Sequence, residues 1–325
     1  MFSESVIRLE NNNLYGSSDN YKNHLINFRC ETLTCFKSRI SPARAKREID
    51  CRSDKTSFEQ GKINACPFCP ERIYSETPVF AGNKRIEIGE SVTFPNLFPF
   101  SKTHVVTVIT KEHSPDSFTK RQIEDALQAQ YMALKDTAGY PSVNWNNLSS
   151  AGASMIHPHM QGISDEGPSY VTGVYIKKSR EYFLKNNKNY WDILSCCEVN
   201  SERYLFGDEI VWSANPVPFG EKEIRGYMPV SKICNFSEYV DLLSSDILKI
   251  IDYYKKSGHF AYNMTIRFDK KDSDESFKAF VSVIARINPN PDSTSDSAYM
   301  ERLNFEPVVL TIPEEIGADY RHKCR

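Results

Sequence analysis

The feature that most constrains the fold of this 325-residue chain is an internal repeat. Within residues 90–163, two strand-like runs rich in β-branched residues precede an amphipathic segment at 117–139, and two more strand-like runs follow it. Residues 208–289 repeat this order, with their helical segment at 236–258. A strand–strand–helix–strand–strand unit that is used twice predicts two related halves that share one sheet or pack side by side.

Composition and charge define the broad class of protein. Apolar residues make up 40% of the chain and charged residues 25%, as in soluble globular domains. The formal net charge of -2 gives no reason to expect a nucleic-acid or membrane partner. The chain has no long apolar run, and its first residues lack the basic and apolar regions of a signal peptide. Nine cysteines, an odd number, indicate reduced thiols, so we expect a cytoplasmic protein.

Cys66 and Cys69 have a spacing that suits a metal ion. A two-residue gap lets both thiolates reach one tetrahedral zinc from a tight turn, although redox motifs share this spacing. Two further ligands are needed, and His113 and His157 are available. The alternative is that these are unrelated cysteines and ordinary histidines. Zinc binding of roughly 10–16 kcal/mol would rival the roughly 5–15 kcal/mol stability of a domain, so a zinc ion here would decide whether the first half folds.

The segment His157-Pro158-His159-Met160-Gln161 places three polar side chains on one face of a strand. Pro158 fixes φ and removes a donor, so the two imidazoles keep one relation. One histidine can then bind a metal while the other attacks phosphorus, because a phosphorylated imidazole is labile enough to be an intermediate. The Gly/Ser-rich turn 149–154 before it offers backbone amides to an anion. Two ordinary strand histidines are the alternative interpretation.

Arg44, Lys46 and Arg47 form a compact basic group near the start of the chain. Arginine binds phosphate oxygens in a bidentate way, so this group is a candidate clamp for a diphosphate. A merely solvated cluster is the alternative.

In this order, the motifs resemble those of the galactose-1-phosphate uridylyltransferase family of the histidine-triad superfamily. The resemblance covers most of the first 165 residues and rests on the basic segment 41–47, the Cys-x-x-Cys motif, the strand 94–98, a histidine after a β-branched strand, and the segment 146–161. It implies an α+β fold with two tandem histidine-triad-like halves and a largely antiparallel sheet, or half-barrel, with helices packed outside. We place the catalytic half with its zinc site at residues 1–190 and a degenerate half that completes the acceptor site at 191–325.

The resemblance also implies roles for individual residues. His159 would be the nucleophile, Gln161 would hydrogen-bond the transferred phosphoryl group, and Ser154 would contact the substrate phosphates. The implied zinc ligands are Cys66, Cys69, His113 and His157. Arg44 and Arg47 are the implied contacts to the diphosphate. The implied contacts to the nucleoside are Phe94, Asn96, Asn146 and Gly152.

The second half departs from the family pattern at the acceptor end. Arg286 stands where the family has a histidine of its second metal site, which predicts that the second metal is absent. Glu301 matches a glutamate of the hexose-recognition segment, but Pro307 lies near the position of the glutamine expected after it. We therefore expect an intact donor end and a remodelled acceptor end, with Arg286 and Glu301 as candidate substrate-binding residues. Arg286 could hold an anion smaller than a hexose phosphate as the acceptor.

The resulting hypothesis is a nucleotidyltransferase that moves a nucleoside monophosphate from a nucleotide sugar to a sugar 1-phosphate through a nucleotidyl-histidine. One alternative is a nucleotide-sugar or dinucleotide phosphorylase with inorganic phosphate as acceptor. A zinc-stabilised nucleotide-binding module without turnover is the second. The expected partners are a nucleotide sugar and a phosphorylated small-molecule acceptor, with no nucleic acid and no membrane, and a homodimer is expected from the family.

Overall fold

The computed structural model describes residues 1–8, 25–46, 66–113, 117–287 and 296–324. Its strands are β1 (Phe2–Arg8), β2 (Leu25–Glu31), β3 (Lys37–Ile40), β4 (Ile86–Ile88), β5 (Ser91–Pro95), β6 (Thr103–Val108), β7 (Tyr140–Asn147), β8 (His159–Asp165), β9 (Tyr204–Phe206), β10 (Val211–Ala214), β11 (Ile224–Tyr227), β12 (Tyr262–Arg267), β13 (Phe280–Ala285) and β14 (Val308–Val309). Its α-helices are α1 (Ile73–Glu76), α2 (Lys120–Leu134), α3 (Tyr170–Asn186), α4 (Tyr190–Val199), α5 (Val240–Lys256), α6 (Tyr299–Leu303) and α7 (Pro313–Lys323).

The two halves share one sheet. Ten strands lie in the order β4-β5-β6-β8-β7-β12-β13-β11-β10-β9, and the pairs within it are antiparallel. Both halves show the same pattern from the sheet edge inward: three strands in chain order, followed by the last two strands of that half in reverse order. The first half reads β4-β5-β6-β8-β7, and the second half reads β9-β10-β11-β13-β12. The halves join where β7 pairs with β12 over six residue pairs, from Tyr262 opposite Asn147 to Arg267 opposite Ser142. The predicted repeat and the α+β class are confirmed.

Helix α2 covers one face of the first half, and its ends and its apolar face follow from local sequence. Thr119 and Gln122 form a capping box, in which each side chain accepts from the other residue's backbone N–H. Ile123, Leu127 and Leu134 are fully buried, and each such side chain contributes about 1.5–3 kcal/mol of hydrophobic stabilisation. Helix α5 is the corresponding helix of the second half, and the two helices pack against each other.

Alternation along the central strands separates the core from a polar face. Trp145 of β7, Met160 of β8 and Met264 of β12 lie in the hydrophobic core beneath the helices. Their neighbours therefore point to the opposite side of the sheet, because successive side chains of a strand alternate. We call this opposite side the polar face; its members are Asn144, Asn146, His159, Gln161, Asn263 and Thr265.

Helices α3 and α4 pack over the strands β11 and β13 and fill the side of the sheet that corresponds to the polar face. Tyr175 and Trp191 of these helices pack on Tyr227 and Phe280 of β11 and β13. Arg225 is 1% exposed and is held there by Glu223, at 2.8 Å from its Nε, and by further polar groups of the same layer. The polar face is therefore bounded on this side by packed protein.

The smaller sheet has the order β1-β2-β3-β14 and carries the basic segment. A 3-10 helix, Pro42–Lys46, follows β3 directly and holds Arg44 at the surface. Within the parts of the chain that the structure describes, no helix is both long and apolar enough to span a membrane.

Candidate active site and metal centre

Cys66, Cys69, His113 and His157 come together beside the first half of the sheet. Their four ligand atoms all lie within 4.8 Å of one another. The cysteines lie on a turn that leads into α1, where the Cys69 carbonyl accepts the Ile73 N–H at 2.9 Å. The histidines follow β6 and precede β8, two neighbouring strands of the sheet. Residues from three separate segments of the chain thus form one cluster.

The spacing of the ligand atoms fits a tetrahedral ion. Cys69 Sγ lies 3.4 Å from His113 Nδ1 and 3.7 Å from His157 Nδ1, and Cys66 Sγ lies 3.8 Å from His157 Nδ1. Bonds of about 2.0–2.3 Å to one zinc ion would place its ligands about 3.3–3.8 Å apart. The donor set of two thiols and two imidazoles is therefore one that could bind a metal.

The surroundings of His157 hold its ring in the orientation and the neutral form that metal binding requires. Its Nε2 donates to the Thr110 carbonyl at 2.8 Å, so Nδ1 keeps its lone pair and faces the cysteines. Burial lowers the pKa of His157 to about 4, which keeps the ring in the neutral form that binds metals. Burial, and then the neighbouring Cys66, raises the pKa of Cys69 to about 11, so a bound cation would have to displace its proton.

His159 is the buried first residue of β8 and points to the polar face. Its Nδ1 lies 2.9 Å from the carbonyl oxygen of His157, and because that oxygen can only accept, Nδ1 carries the proton. Nε2 therefore holds the lone pair, which is the nucleophilic form of imidazole. Burial lowers the pKa of His159, so the ring stays neutral near pH 7. The Phe68 ring lies 5.3 Å from the His159 ring and connects the cysteine turn to it.

Gln161, two residues further on the same face, contacts His104. In the tautomer with the proton on Nε2, which the Phe100 N–H at 3.4 Å from Nδ1 favours, His104 donates to Gln161 Oε1 at 2.8 Å. The Gln161 carbonyl is thereby occupied, and its NH2 group remains to donate to a phosphoryl oxygen. Nδ2 of Asn96 lies 3.1 Å from the same Nε2, and because Oδ1 of Asn96 accepts the Phe98 N–H at 2.9 Å, this contact suits the other tautomer, in which Nε2 accepts.

Asn146 lies on β7 at the level of His159. Trp145 pairs with Met160, so the next residue of β7 lies beside the first residue of β8, on the same face. The turn that follows carries Ser154 and Gly152, both exposed. Gly152 has φ +86°, a left-handed conformation that glycine adopts without strain. The structure thus brings Asn146, Gln161 and His159 together, with Ser154 and Gly152 on the adjoining turn.

Arg44, Arg286 and Glu301 line a cavity of about 290 Å³ at the end of the β12–β13 pair, which adjoins the polar face because Asn263 also lines it. Two of these side chains already have partners within the protein. Nε of Arg286 contacts both carboxylate oxygens of Asp296, at 2.8 and 2.9 Å. The carboxylate of Glu301 accepts the backbone N–H groups of Ala298 and Val308, at 2.9 and 3.1 Å, as a helix cap does.

Two further predicted residues lie outside these groups. Phe94 is only 2% exposed, and the Phe68 ring packs over it at 5.6 Å. Arg47 lies outside the residues that the structure describes.

His104 and Asn263, which contact predicted site residues, were not predicted from the sequence. His104 lies on the same face of β6 as Val106 and Val108, the face that carries Gln161 on β8, and Asn263 alternates with buried residues on β12. A polar residue at alternating positions of an otherwise apolar strand is the signal that could have identified each.

Comparisons with known proteins agree with this architecture. No family model matches the chain. The chain is 27% identical over 309 residues to an uncharacterized protein of Archaeoglobus fulgidus, covering 92% of each protein. It is 24% identical over 242 residues to an ADP-glucose phosphorylase of Arabidopsis thaliana, covering 63% of this chain and 65% of that protein.

Solved structures show the same fold. The crystal structure of an ADP-glucose phosphorylase from Arabidopsis thaliana with bound ADP-glucose superposes with a TM-score of 0.70 at 19% identity, over 90% of this chain and 98% of that one. A uridylyltransferase structure superposes with a TM-score of 0.65 at 18% identity, over 91% of this chain and 98% of that one. The resemblance identified from the sequence is therefore confirmed at the level of the fold.

Proposed function

We infer that this chain, which has the fold of the uridylyltransferase and ADP-glucose phosphorylase structures, is a nucleotidyltransferase. It moves a nucleoside monophosphate from a nucleoside-diphosphate sugar to a sugar 1-phosphate. The observation that carries this proposal is the state of His159, whose Nδ1 is held by a carbonyl and which shares one face of the sheet with the amides of Gln161 and Asn146.

The first transfer step follows from that geometry. Nε2 of His159 attacks the nucleotide's α-phosphorus, a P–N bond forms, and the bond to the bridging oxygen breaks with its electron pair leaving on the sugar 1-phosphate. The positive charge that develops on the ring is stabilised through Nδ1–H, which donates to the His157 carbonyl. Gln161 donates from its NH2 group to the phosphoryl oxygens, where negative charge spreads in the transition state.

The second step reverses the first with a new acceptor. A phosphate oxygen of the incoming sugar 1-phosphate attacks the phosphorus, and the P–N bond breaks with its electron pair returning to Nε2 of His159. The neutral imidazole is restored, and the ring remains hydrogen-bonded to the backbone throughout. Ser154 and Arg44 are proposed to contact the phosphates, and Asn96 and Gly152 to contact the nucleoside. Phe94, which is buried beneath Phe68, is proposed to support this site from below.

We propose zinc as the ion of the Cys66, Cys69, His113 and His157 cluster, since its preference for tetrahedral sulfur and nitrogen ligands fits the four atoms. Such an ion would supply structural cross-linking. It would fix the backbone of His157, whose carbonyl sets the proton position of His159.

The test is detection of the covalent intermediate. Incubation with UDP-glucose and ADP-glucose should give a protein mass increased by one nucleoside monophosphate, lost in acid, and mapped to His159. The His159→Asn variant should fold, retain its metal and form no adduct. If that variant still exchanged label between a nucleotide sugar and its sugar phosphate, the proposed mechanism would be wrong. Nucleotide binding by the native protein without any acid-labile adduct would instead favour the binding module.

A phosphorylase is the second candidate, with inorganic phosphate as the acceptor. It is favoured by the engagement of Glu301 with backbone amides, because a carboxylate held as a helix cap is a poor ligand for a hexose. The curated relative from Arabidopsis thaliana also carries the name ADP-glucose phosphorylase. Loaded enzyme should be offered phosphate and several hexose 1-phosphates in parallel. Release of a nucleoside diphosphate with phosphate alone would select the phosphorylase. A cytoplasmic location and a homodimer stay predictions.

A further inference from the structure

A chain of hydrogen bonds connects the second half of the protein to Asn146. Nη1 of Arg286 donates to Asn263 Oδ1 at 2.6 Å. Nδ2 of Asn263 donates to Asn146 Oδ1 at 2.6 Å and to the Ala151 carbonyl at 2.8 Å. Asn263 and Asn146 face each other across the β7–β12 pair, which is the seam between the halves. This chain of hydrogen bonds thus starts at Arg286, in the cavity of about 290 Å³, and ends at Asn146 beside His159.

The direction of every donor in this chain is fixed by chemistry. A guanidinium can only donate, so the atom of Asn263 that meets Arg286 must be its oxygen. A backbone carbonyl can only accept, so the atom of Asn263 that meets Ala151 must be its nitrogen. Since that nitrogen also meets Asn146, the carbonyl oxygen of Asn146 is occupied. The NH2 group of Asn146 is then the end of the amide that remains for a ligand.

Arg286 is itself held in place by Asp296, which contacts Nε with both carboxylate oxygens and also accepts the Ile287 N–H at 3.0 Å. Arg286 and Asp296 are 16% and 17% exposed, so the pair is largely desolvated and has a defined geometry. A guanidinium whose charge is compensated in this way is poorly suited to capture an acceptor anion. Its remaining arm, Nη1, is aimed at Asn263.

We propose that Arg286 and Asn263 are positioning residues that fix the amide of Asn146 so that its NH2 group faces the phosphoryl group carried by His159. This inference rests on the proposed nucleotidyl transfer. It replaces the expected role of Arg286 as a ligand of the acceptor. The second half then contributes to the chemistry by orienting a donor of the first half.

The test is a double-mutant cycle with AMP and UMP as probes, measured by calorimetry so that turnover is not needed. Asn146→Ala should weaken binding by about 10-fold or more, the loss expected for a hydrogen bond to a charged group. Asn263→Asp should have a similar effect, because a carboxylate can still accept from Arg286 but cannot donate to Asn146. If both act through one amide, the double variant should bind no more weakly than Asn146→Ala alone.

Thr265→Val is the matched control. It removes an equivalent cross-strand hydrogen bond, from Thr265 Oγ1 to Asn144 Oδ1 at 2.8 Å, two positions further along the same seam. It should leave AMP and UMP affinity within about twofold of the native value. Arg286→Met provides a second route into the cycle should Asn263→Asp fail to fold, and melting temperatures report folding for every variant.

The outcomes separate this inference from the proposed function. Independent effects that multiply in the double variant would overturn the positioning role, even in a protein that forms the His159 adduct. Coupled effects in a protein that forms no adduct would support the positioning role and reject the transfer reaction. A native protein that binds neither AMP nor UMP would overturn both.

Discussion

Acidification should destabilise this protein through one buried histidine, His259. The residue lies between α5 and β12 and is 7% exposed, and Nδ1 has no hydrogen-bond partner among the described residues. Burial, reinforced by Lys222 and Lys323 and opposed by Asp319, lowers the pKa of His259 from 6.5 to about 4. The unfolded chain therefore takes up a proton near pH 6.5, whereas the native protein resists it until near pH 4.

The sign and size of the effect follow from this difference. Stability is complete above pH 6.5, because neither state is protonated there, and falls as the pH drops towards 4, because only the unfolded state then gains a proton. The loss is about 2 kcal/mol at pH 5 and about 3 kcal/mol below pH 4, at about 1.4 kcal/mol for each pKa unit. It matters for the site because β12, which begins three residues later, carries Asn263.

The assay is urea unfolding of the native protein and of His259→Gln at several pH values between 7.5 and 5. The difference between the two free energies of unfolding should change by about 2 kcal/mol over this range, with the native protein losing more. Taking the difference between the two free energies of unfolding removes contributions from carboxylates and other histidines that titrate in both proteins. His322→Gln, at an exposed position on α7, is the control and should follow the native curve. Parallel curves for the native protein and His259→Gln would refute the reasoning.

Three other substitutions test the metal centre, the amide orientation and the packing beneath β8. Cys69→Ser should remove the proposed metal ion, as measured by elemental analysis, and lower the melting temperature, whereas Cys197→Ser at an exposed position should do neither. His104→Phe should slow formation of the nucleotidyl-His159 adduct about 10-fold or more in single-turnover kinetics, because Gln161 loses its contact at 2.8 Å to His104. An unchanged rate would contradict this. Gly162→Ala should cost about 1–3 kcal/mol in urea unfolding, since its Cβ would clash with the buried Gln130 side chain and lie 2.9 Å from Leu134 and Val105. Gly167→Ala, where nothing lies within 4 Å, should be neutral.

Sequence patterns predicted the repeat, since each half obeys the two periods that distinguish strands from helices. The same approach missed α3, because that helix buries Thr172, Tyr175 and Ser179 rather than an apolar stripe. Its burial depends on a polar layer around Arg225, whose partners come from distant segments. Tertiary contacts, not local periodicity, define that helix.

At the site, the residues that local chemistry requires were predictable, and those that depend on partners were not. The Cys-x-x-Cys spacing places two thiols on one turn, and the His-x-His alternation places two imidazoles on one face of a strand. The structure brings the corresponding side chains together. The sequence shows the charge of Arg286 but not that Asp296 engages it, because that contact depends on how the chain returns after β13. Glu301 likewise matches a position of the family pattern, while its actual contacts are backbone amides.

The pairing of β7 with β12 has a consequence for any attempt to divide the protein. A fragment that ends near residue 190 would keep β7 but lose the strand that pairs with it over six residue pairs. The released edge would present unpaired backbone N–H and C=O groups next to Val143 and Trp145, which is a template for association with other chains. Such a fragment is expected to aggregate or to form intermolecular dimers through β7 when expressed alone, and co-expression with residues 191–325 is the arrangement that should restore a soluble, assembled sheet.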